Sequence, residues 1–129
     1  MAVSEAPAGR RKRTRVHVGA LDDFDDERFT VVDAGSEQIG VLRLDDGVTA
    51  MRNYCPHMGG RLCRGDVRGT MWAKSPDELV YDEEALIVRC PMHRWEWSIR
   101  DGSPVGRVTN LRAKVFESEV VDQQVYVYV

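Results

Sequence analysis

The chain is predicted to fold as one all-β domain, an antiparallel sandwich or barrel, for two reasons. Short runs rich in β-branched and aromatic residues alternate with Gly, Asp and Pro turn signals over residues 15–129. No segment shows the sustained period of 3.6 residues that a long amphipathic helix requires. At 129 residues the chain has room for one modest hydrophobic core. Packed antiparallel sheets are the layer arrangement in which such strands bury one face each.

The candidate elements follow in order along the chain. Candidate strands are residues 15–18, 29–33, 38–44, 48–52, 85–89, 98–100, 111–117 and 125–129. The acidic segment 20–27 is predicted to be a helical turn or a loop. Asp45-Asp46-Gly47 predicts a β-hairpin because Asp-Gly is a strong hairpin turn signal, and Asp101-Gly102 predicts a second turn.

Charge divides the chain into a basic tail and an acidic body. Residues 1–14 combine Pro, Ala and Gly with a basic run at 10–13, which is typical of a disordered, solvated tail. Residues 16–129 carry 13 basic and 20 acidic residues, a formal charge of −7. This acidic body argues against nucleic-acid binding, and its net charge favours a partner with a basic docking face.

The lengths of the apolar runs and the number of cysteines predict the cellular compartment. No apolar run approaches the roughly 20 residues that span a bilayer, and no signal-peptide core follows the first residues. Three cysteines cannot form a disulfide framework. A reducing compartment, the cytoplasm, is therefore predicted.

Residues 65–84 form a stretch of mixed polarity without a clear period. A long connection inside a compact domain is usually functional or disordered. Apolar residues within it favour an ordered surface insertion; these are Met71, Trp72, Leu79, Val80 and Tyr81.

Two short motifs carry the chemistry, Cys55-Pro-His57 and Cys90-Pro-Met-His93. Each supplies one thiolate and one imidazole, and a candidate strand leads into each. A two-iron, two-sulfur cluster with cysteines on one iron and histidines on the other needs this ligand set. Such mixed ligation gives reduction potentials of about −150 to +300 mV, against about −400 mV for plant-type clusters held by cysteines.

Three other readings of these four residues remain open. A structural zinc ion accepts Cys₂His₂ ligation, although zinc fingers usually pair cysteine with cysteine and histidine with histidine. A Cys–His nucleophile would leave the duplicated motif unexplained, and nothing marks an oxyanion hole. The cysteines could also be buried structural residues beside incidental histidines.

With these motifs the chain resembles the Rieske ferredoxins over residues 15–129, including a later aromatic pair, Asp101-Gly102 and the valine-rich C-terminus. The resemblance implies a Rieske-like antiparallel β fold in which two loops form a small cluster-binding subdomain. It also implies one 2Fe–2S cluster per chain. Cys55 and Cys90 would bind the buried iron, and His57 and His93 the outer iron at the protein tip.

Departures from the family indicate a low-potential member. Respiratory-complex Rieske proteins have a further cysteine in each loop, and here Gly60 and Met92 occupy those positions, so that disulfide cannot form. Trp95 and Trp97 occupy the positions of a serine and a tyrosine that donate hydroxyl hydrogen bonds. Fewer donors stabilise the reduced state less, so a potential in the low range of the family is expected.

Two further departures concern the spacing and one arginine. The gap of 32 residues between His57 and Cys90 is about twice the usual family spacing, and the excess is the 65–84 insertion. Arg94 replaces the glycine that usually follows the second histidine. Either a left-handed backbone position is strained there, or the turn differs.

Residues around the ligands are assigned supporting roles. The Gly59-Gly60 amides can approach the cluster, and Trp95 is expected to shield it from water. Met58, Arg61 and Arg94 are expected to form a small docking rim for transient redox encounters.

The predicted function is one-electron transfer, because the chain shows no dinucleotide fingerprint and no further His/Asp oxygenase centre. The leading hypothesis is a ferredoxin passing electrons from a reductase to a terminal oxygenase. The alternatives are a Rieske-like small subunit of a larger reductase, such as nitrite reductase, and a non-redox interaction module. The chain is thus expected to be a component of an oxidoreductase system rather than an enzyme by itself.

Overall fold

A computed structural model describes residues 13–75, 78–92, 94–105 and 109–129, and within residues 70–85 only the backbone is described. The described chain is almost entirely β. Its strands are β1 (Arg15–Ala20), β2 (Thr30–Ala34), β3 (Glu37–Leu44), β4 (Gly47–Arg52), β5 (Asp66–Ser75), β6 (Glu78–Arg89), β7 (Glu96–Ser98), β8 (Val115–Val121) and β9 (Gln124–Tyr128). Two short 3-10 turns lie at Leu21–Asp23 and Leu62–Arg64. The prediction of an all-β fold is confirmed.

The strands form two antiparallel sheets. The larger has the order β1-β9-β8-β4-β3-β2 and the smaller the order β5-β6-β7. In the β3–β4 hairpin, Leu44 pairs with Gly47, so the turn consists of Asp45 and Asp46, within the predicted Asp45-Asp46-Gly47 segment. β8 and β9 join through Asp122 and Gln123, both at positive φ, as a tight two-residue hairpin turn requires.

The predicted strands are present, but two of them are shifted along the chain. The strand predicted at 98–100 is β7, which ends at Ser98. After Ser98 the chain enters a turn in which the Asp101 carboxylate accepts hydrogen bonds from Ser103. The turn therefore includes residues 99 and 100, which were predicted to be part of the strand. The strand predicted at 111–117 begins only at Val115 and continues to Val121. Pairing with β6 sets the bounds of β7, and pairing with β4 and β9 sets those of β8; local composition did not reveal them.

Most of the 65–84 segment lies in a long β-hairpin. β5 pairs antiparallel with β6 from Asp66↔Arg89 to Ser75↔Glu78, with register shifts on the way. The side chains proposed to anchor the insertion lie outside the described residues, as does the predicted tail up to residue 12. No helix in the described part of the chain is long and apolar enough to cross a membrane.

Two hydrophobic cores meet at the central strands of the larger sheet. One core contains Phe24, Ala34, Ile39, Val41, Ala50, Phe116, Val125 and Val127. The other joins the two sheets and contains Phe29, Leu42, Met51, Cys55, Leu62, Cys63, Val88, Cys90, Trp97, Ile99 and Ala113. Val41 and Leu42 are both fully buried because β3 has a core on each face.

Candidate metal centre

Two strand ends deliver the two cysteines of the motifs. The first cysteine loop, residues 53–65, follows β4, and the second, residues 90–95, follows β6 without an intervening residue. Cys55 and Cys90 are each 1% exposed and belong to the core that joins the sheets. Their thiols are therefore shielded from water at the base of the loops.

Both loops have the same backbone geometry. In the first, the Cys55 carbonyl accepts from Gly59 N at 2.7 Å, and Cys55 N donates to the Gly60 carbonyl at 2.8 Å. In the second, the Cys90 carbonyl accepts from Arg94 N at 2.9 Å, and Cys90 N donates to the Trp95 carbonyl at 2.8 Å. The chain thus makes one turn twice, each time starting at a cysteine.

The shared turn places one residue in the left-handed region. Gly59 has φ 75° and Arg94 has φ 60°, and each is the fourth residue after its cysteine. Glycine adopts this conformation without strain, whereas a residue with a Cβ does not. Of the two readings of Arg94 offered by the sequence, the left-handed position is therefore the one found.

The loops lie against each other. A Cβ built on Gly60 would lie 2.7 Å from Met92 Sδ and 3.2 Å from Cys90 Sγ. Glycine at position 60 thus allows the first loop to approach the thiol of the second. The two positions at which respiratory-complex relatives would place further cysteines face each other in this structure.

One motif histidine lies within the described residues. The His57 imidazole stacks on the Trp95 indole, with centroids 3.6 Å apart and an interplanar angle of 10°. Trp97 is fully buried, and its ring centroid lies 6.1 Å from that of Trp95. His93 lies outside the described residues.

A hydrogen-bond network holds the first loop to β3. Asn53 Oδ1 accepts from Cys63 N at 2.8 Å, and Asn53 Nδ2 donates to Gln38 Oε1 at 2.8 Å. The Arg61 guanidinium donates to the same Gln38 oxygen at 2.9 Å. This network connects the start and the end of the loop, which restricts where Cys55 can lie.

Cys63 differs from the motif cysteines in its surroundings. It is 2% exposed, and burial raises the pKa of its thiol to about 12. A Cβ on Gly40 would lie 2.4 Å from Cys63 Sγ, so the thiol fills the space above this glycine. Cys63 is a small buried packing residue, as its position in the core indicates.

The described residues fit a cluster whose irons each take two protein ligands. No three His, Cys, Asp or Glu side chains converge on a single ion within the described part of the chain. A 2Fe–2S cluster needs no such convergence, since its sulfides complete the coordination. Trp97 Nε1 is buried and has no acceptor among the described residues, and cysteine and cluster sulfurs accept such bonds.

Sequence reasoning did not identify the residues that support the loops. Asn53 and Gln38 lie 15 positions apart and meet only because β3 and β4 pair. Asn53 is the first residue of the loop, directly after β4, and a polar residue at a strand end was the one available signal. At Met92 the sequence shows only that a cysteine is missing, whereas the structure places its sulfur 2.7 Å from where a Cβ on Gly60 would lie.

Comparisons with known proteins agree with this geometry. The family model described as Rieske [2Fe-2S] domain matches residues 14–117. The anthranilate 1,2-dioxygenase ferredoxin subunit of Burkholderia cepacia is 30% identical over 112 residues, covering 87% of this chain and 89% of that protein.

Solved structures share the fold. The ferredoxin of carbazole 1,9a-dioxygenase from Nocardioides aromaticivorans is similar with a TM-score of 0.69 at 25% identity, covering 88% of this chain and 96% of that one. A protein assigned as the small subunit of an NADH-dependent nitrite reductase from Mycobacterium tuberculosis reaches a TM-score of 0.72 at 22% identity, covering 92% and 97%. At that identity the likeness shows the fold alone. From the paired cysteine loops, the two sheets and the match over most of its length, the chain belongs to the Rieske family of 2Fe–2S proteins.

Proposed function

We propose that this protein is a one-electron carrier in which Cys55 and Cys90 hold one iron of the cluster and His57 and His93 hold the other. When bound, the cluster supplies a site that takes up and releases a single electron. The chain's own residues bury the thiolate side and stack Trp95 on His57. They thereby exclude water from one side of the site and leave the other near the surface.

The repeated cysteine turn is the observation that carries this proposal. Two loops with matching hydrogen bonds, each starting at a buried cysteine, lie in contact through Gly60 and Met92. A zinc site or a catalytic cysteine does not require this duplication. The relative that is 30% identical is named a ferredoxin subunit and matches over 89% of its length, which favours the same role here.

We further propose that the protein is a low-potential ferredoxin between a reductase and a terminal oxygenase. Trp95 and Trp97 provide no hydroxyl donor, and Gly60 with Met92 allows no disulfide across the site. Residues 15–129 form the Rieske domain in this proposal, with a basic tail before it. A reducing compartment such as the cytoplasm suits a chain whose three cysteines do not form a disulfide framework.

Electron paramagnetic resonance of the dithionite-reduced protein tests the ligand assignment. We expect the low average g value of mixed histidine and cysteine ligation, and loss of that signal in His57→Ala and in His93→Ala. The chain supplies matched controls, since His17 and Cys63 are the remaining histidine and cysteine. His17→Ala and Cys63→Ala should retain the spectrum, and an unchanged spectrum in both motif-histidine variants would overturn the assignment.

A small subunit of a larger reductase is the second candidate, supported by the fold shared with the nitrite reductase subunit structure. Purification from the native host separates it from the first, because a tight stoichiometric complex with a reductase favours the subunit. Iron and sulfide analysis after anaerobic purification separates both from a non-redox interaction module.

A further inference from the structure

Charge on the two cysteine loops is opposite in sign to that of the body. Residues 53–65 and 90–95 contain three arginines, Arg61, Arg64 and Arg94, and no Asp or Glu. The remaining residues of 16–129 contain 10 basic and 20 acidic residues. A cluster with two thiolate and two imidazole ligands is neutral when oxidised and singly negative when reduced. The loops therefore keep a positive formal charge in both redox states.

The three loop arginines have no carboxylate partner among the side chains that the structure describes. None of them forms an ion pair with any residue in the described part of the chain. Arginines that do pair with a carboxylate are Arg13, Arg15, Arg43, Arg52, Arg89, Arg100 and Arg112. Arg61 donates instead to the neutral Gln38 side chain, which adds no opposing charge.

Exposed apolar side chains lie on the same two loops as these arginines. Tyr54, Met58 and Met92 are 52%, 58% and 54% exposed. A Cβ on Gly59 would lie 3.3 Å from the Tyr54 ring, and one on Gly60 would lie 2.7 Å from Met92 Sδ. Tyr54 and Met92 thus lie against consecutive glycines of the first loop, where the two loops meet.

We propose that this loop face, formed by Tyr54, Met58, Arg61, Met92 and Arg94, docks an acidic surface of the redox partner around an apolar centre. The inference rests on the proposed function and assigns the partner's chemistry. It reverses the expectation from net charge, which favours a basic partner. Charge close to the docking site determines which partner surface is attracted. Salt largely screens charges that lie farther away than the Debye length, near 10 Å, as most of the acidic body does. Exposed methionines suit such a contact, since their side chains adapt to different partners.

Electron-transfer rates with charged inorganic oxidants test the sign of the field at the loop face. The reduced protein is mixed in stopped flow with ferricyanide, an anion, or with hexaamminecobalt(III), a cation, at increasing ionic strength. We expect the ferricyanide rate to fall and the cobalt rate to rise as salt increases, because attraction and repulsion are both screened. If the ferricyanide rate rose and the cobalt rate fell with salt, the acidic body would determine the field at the loops, and the proposal would be overturned.

Two double variants with equal change in net charge locate the effect. Arg61→Gln/Arg94→Gln removes charge from the loop face. Arg43→Gln/Arg100→Gln removes it near the β3–β4 turn, at the end of β4 remote from Cys55. We expect the loop variant to slow the ferricyanide reaction at low salt by about threefold or more, and the control to stay within about 1.5-fold of the parent. Equal slowing in both would contradict a local docking face.

Iron content and the resonance spectrum are measured first on each sample. A protein without the Rieske signal contradicts the proposed function. A protein with the full signal and the wrong salt dependence contradicts only the docking face.

Discussion

At the scale of single residues, the second cysteine loop contains a backbone position that suits glycine better than the arginine it holds. Arg94 has φ 60° at the position that Gly59 fills in the first loop. Arg94→Gly should raise the free energy of unfolding by about 1 kcal/mol, because a non-glycine residue in this region costs roughly 1–2 kcal/mol. Thermal unfolding of the cluster-loaded protein measures this gain.

Arg94→Ala is the control for that substitution. It removes the same guanidinium but keeps a Cβ, so it should give no gain in stability. If alanine stabilised the protein as much as glycine, the gain would come from the lost charge rather than from the backbone.

The buried thiol of Cys63 should make stability depend on alkaline pH. Burial raises its pKa from 9.0 to about 12. Below pH 9 the thiol is protonated in the folded and in the unfolded state, so titration of Cys63 does not yet lower the stability of the folded protein. Between pH 9 and 12 the unfolded chain loses the proton while the folded chain keeps it. Stability should therefore fall by up to about 1.4 kcal/mol per pH unit.

Denaturant unfolding of the parent and of Cys63→Ala at several pH values isolates this contribution. The variant should start less stable because it loses buried packing, and should then lose stability less steeply above pH 9. Parallel curves for the two proteins would show that Cys63 does not titrate on unfolding in this range.

At the scale of elements, Gly65 sets the distance between the first cysteine loop and β6. Its φ of −77° is open to any residue, so space rather than conformation requires glycine here. A Cβ would lie 1.7 Å from the carbonyl oxygen of Arg89, the residue before Cys90. Gly65→Ala should lower the free energy of unfolding by about 1–3 kcal/mol or more. It should also reduce iron content, because the two loops are forced apart.

Gly35→Ala separates this contact from the general cost of replacing a glycine. Gly35 has φ 65° and no neighbouring atom within 4 Å of a built Cβ. Its substitution should cost roughly 1 kcal/mol through backbone strain and leave iron content unchanged. Normal iron loading of Gly65→Ala would contradict the spacing role.

At the scale of the whole molecule, the first and the last strand of the domain pair at one edge of the larger sheet. β1 pairs with β9, and Thr14 and Val129 exchange two backbone hydrogen bonds, at 2.9 and 3.0 Å. Deleting residues 1–19 should therefore lower the melting temperature by 10 °C or more, on the order expected for a loss of several kcal/mol. Deleting residues 1–12 leaves every described β1 contact in place and should change melting little. Equal melting of both truncations would show that β1 is dispensable.

Much of the fold could be predicted because strand and turn signals are local. The Asp45-Asp46-Gly47 segment determined the β3–β4 hairpin, and the valine-rich C-terminus indicated β9. The bounds of β7 and β8 could not be predicted, since pairing with β4, β6 and β9 determines them and local composition does not.

The cysteine and histidine types of the two motifs, their order, and the missing disulfide partners follow from the sequence by itself, because coordination chemistry depends on residue type. Only the tertiary structure decided that both loops make the same turn, that Gly60 meets Met92, and that Asn53 reaches Gln38. It also brought together, on the two cysteine loops of an acidic chain, arginines without a carboxylate partner among the described residues and exposed apolar side chains. These features depend on how the loops and strands pack against one another, and net composition carries no information on where the chain brings its charges together.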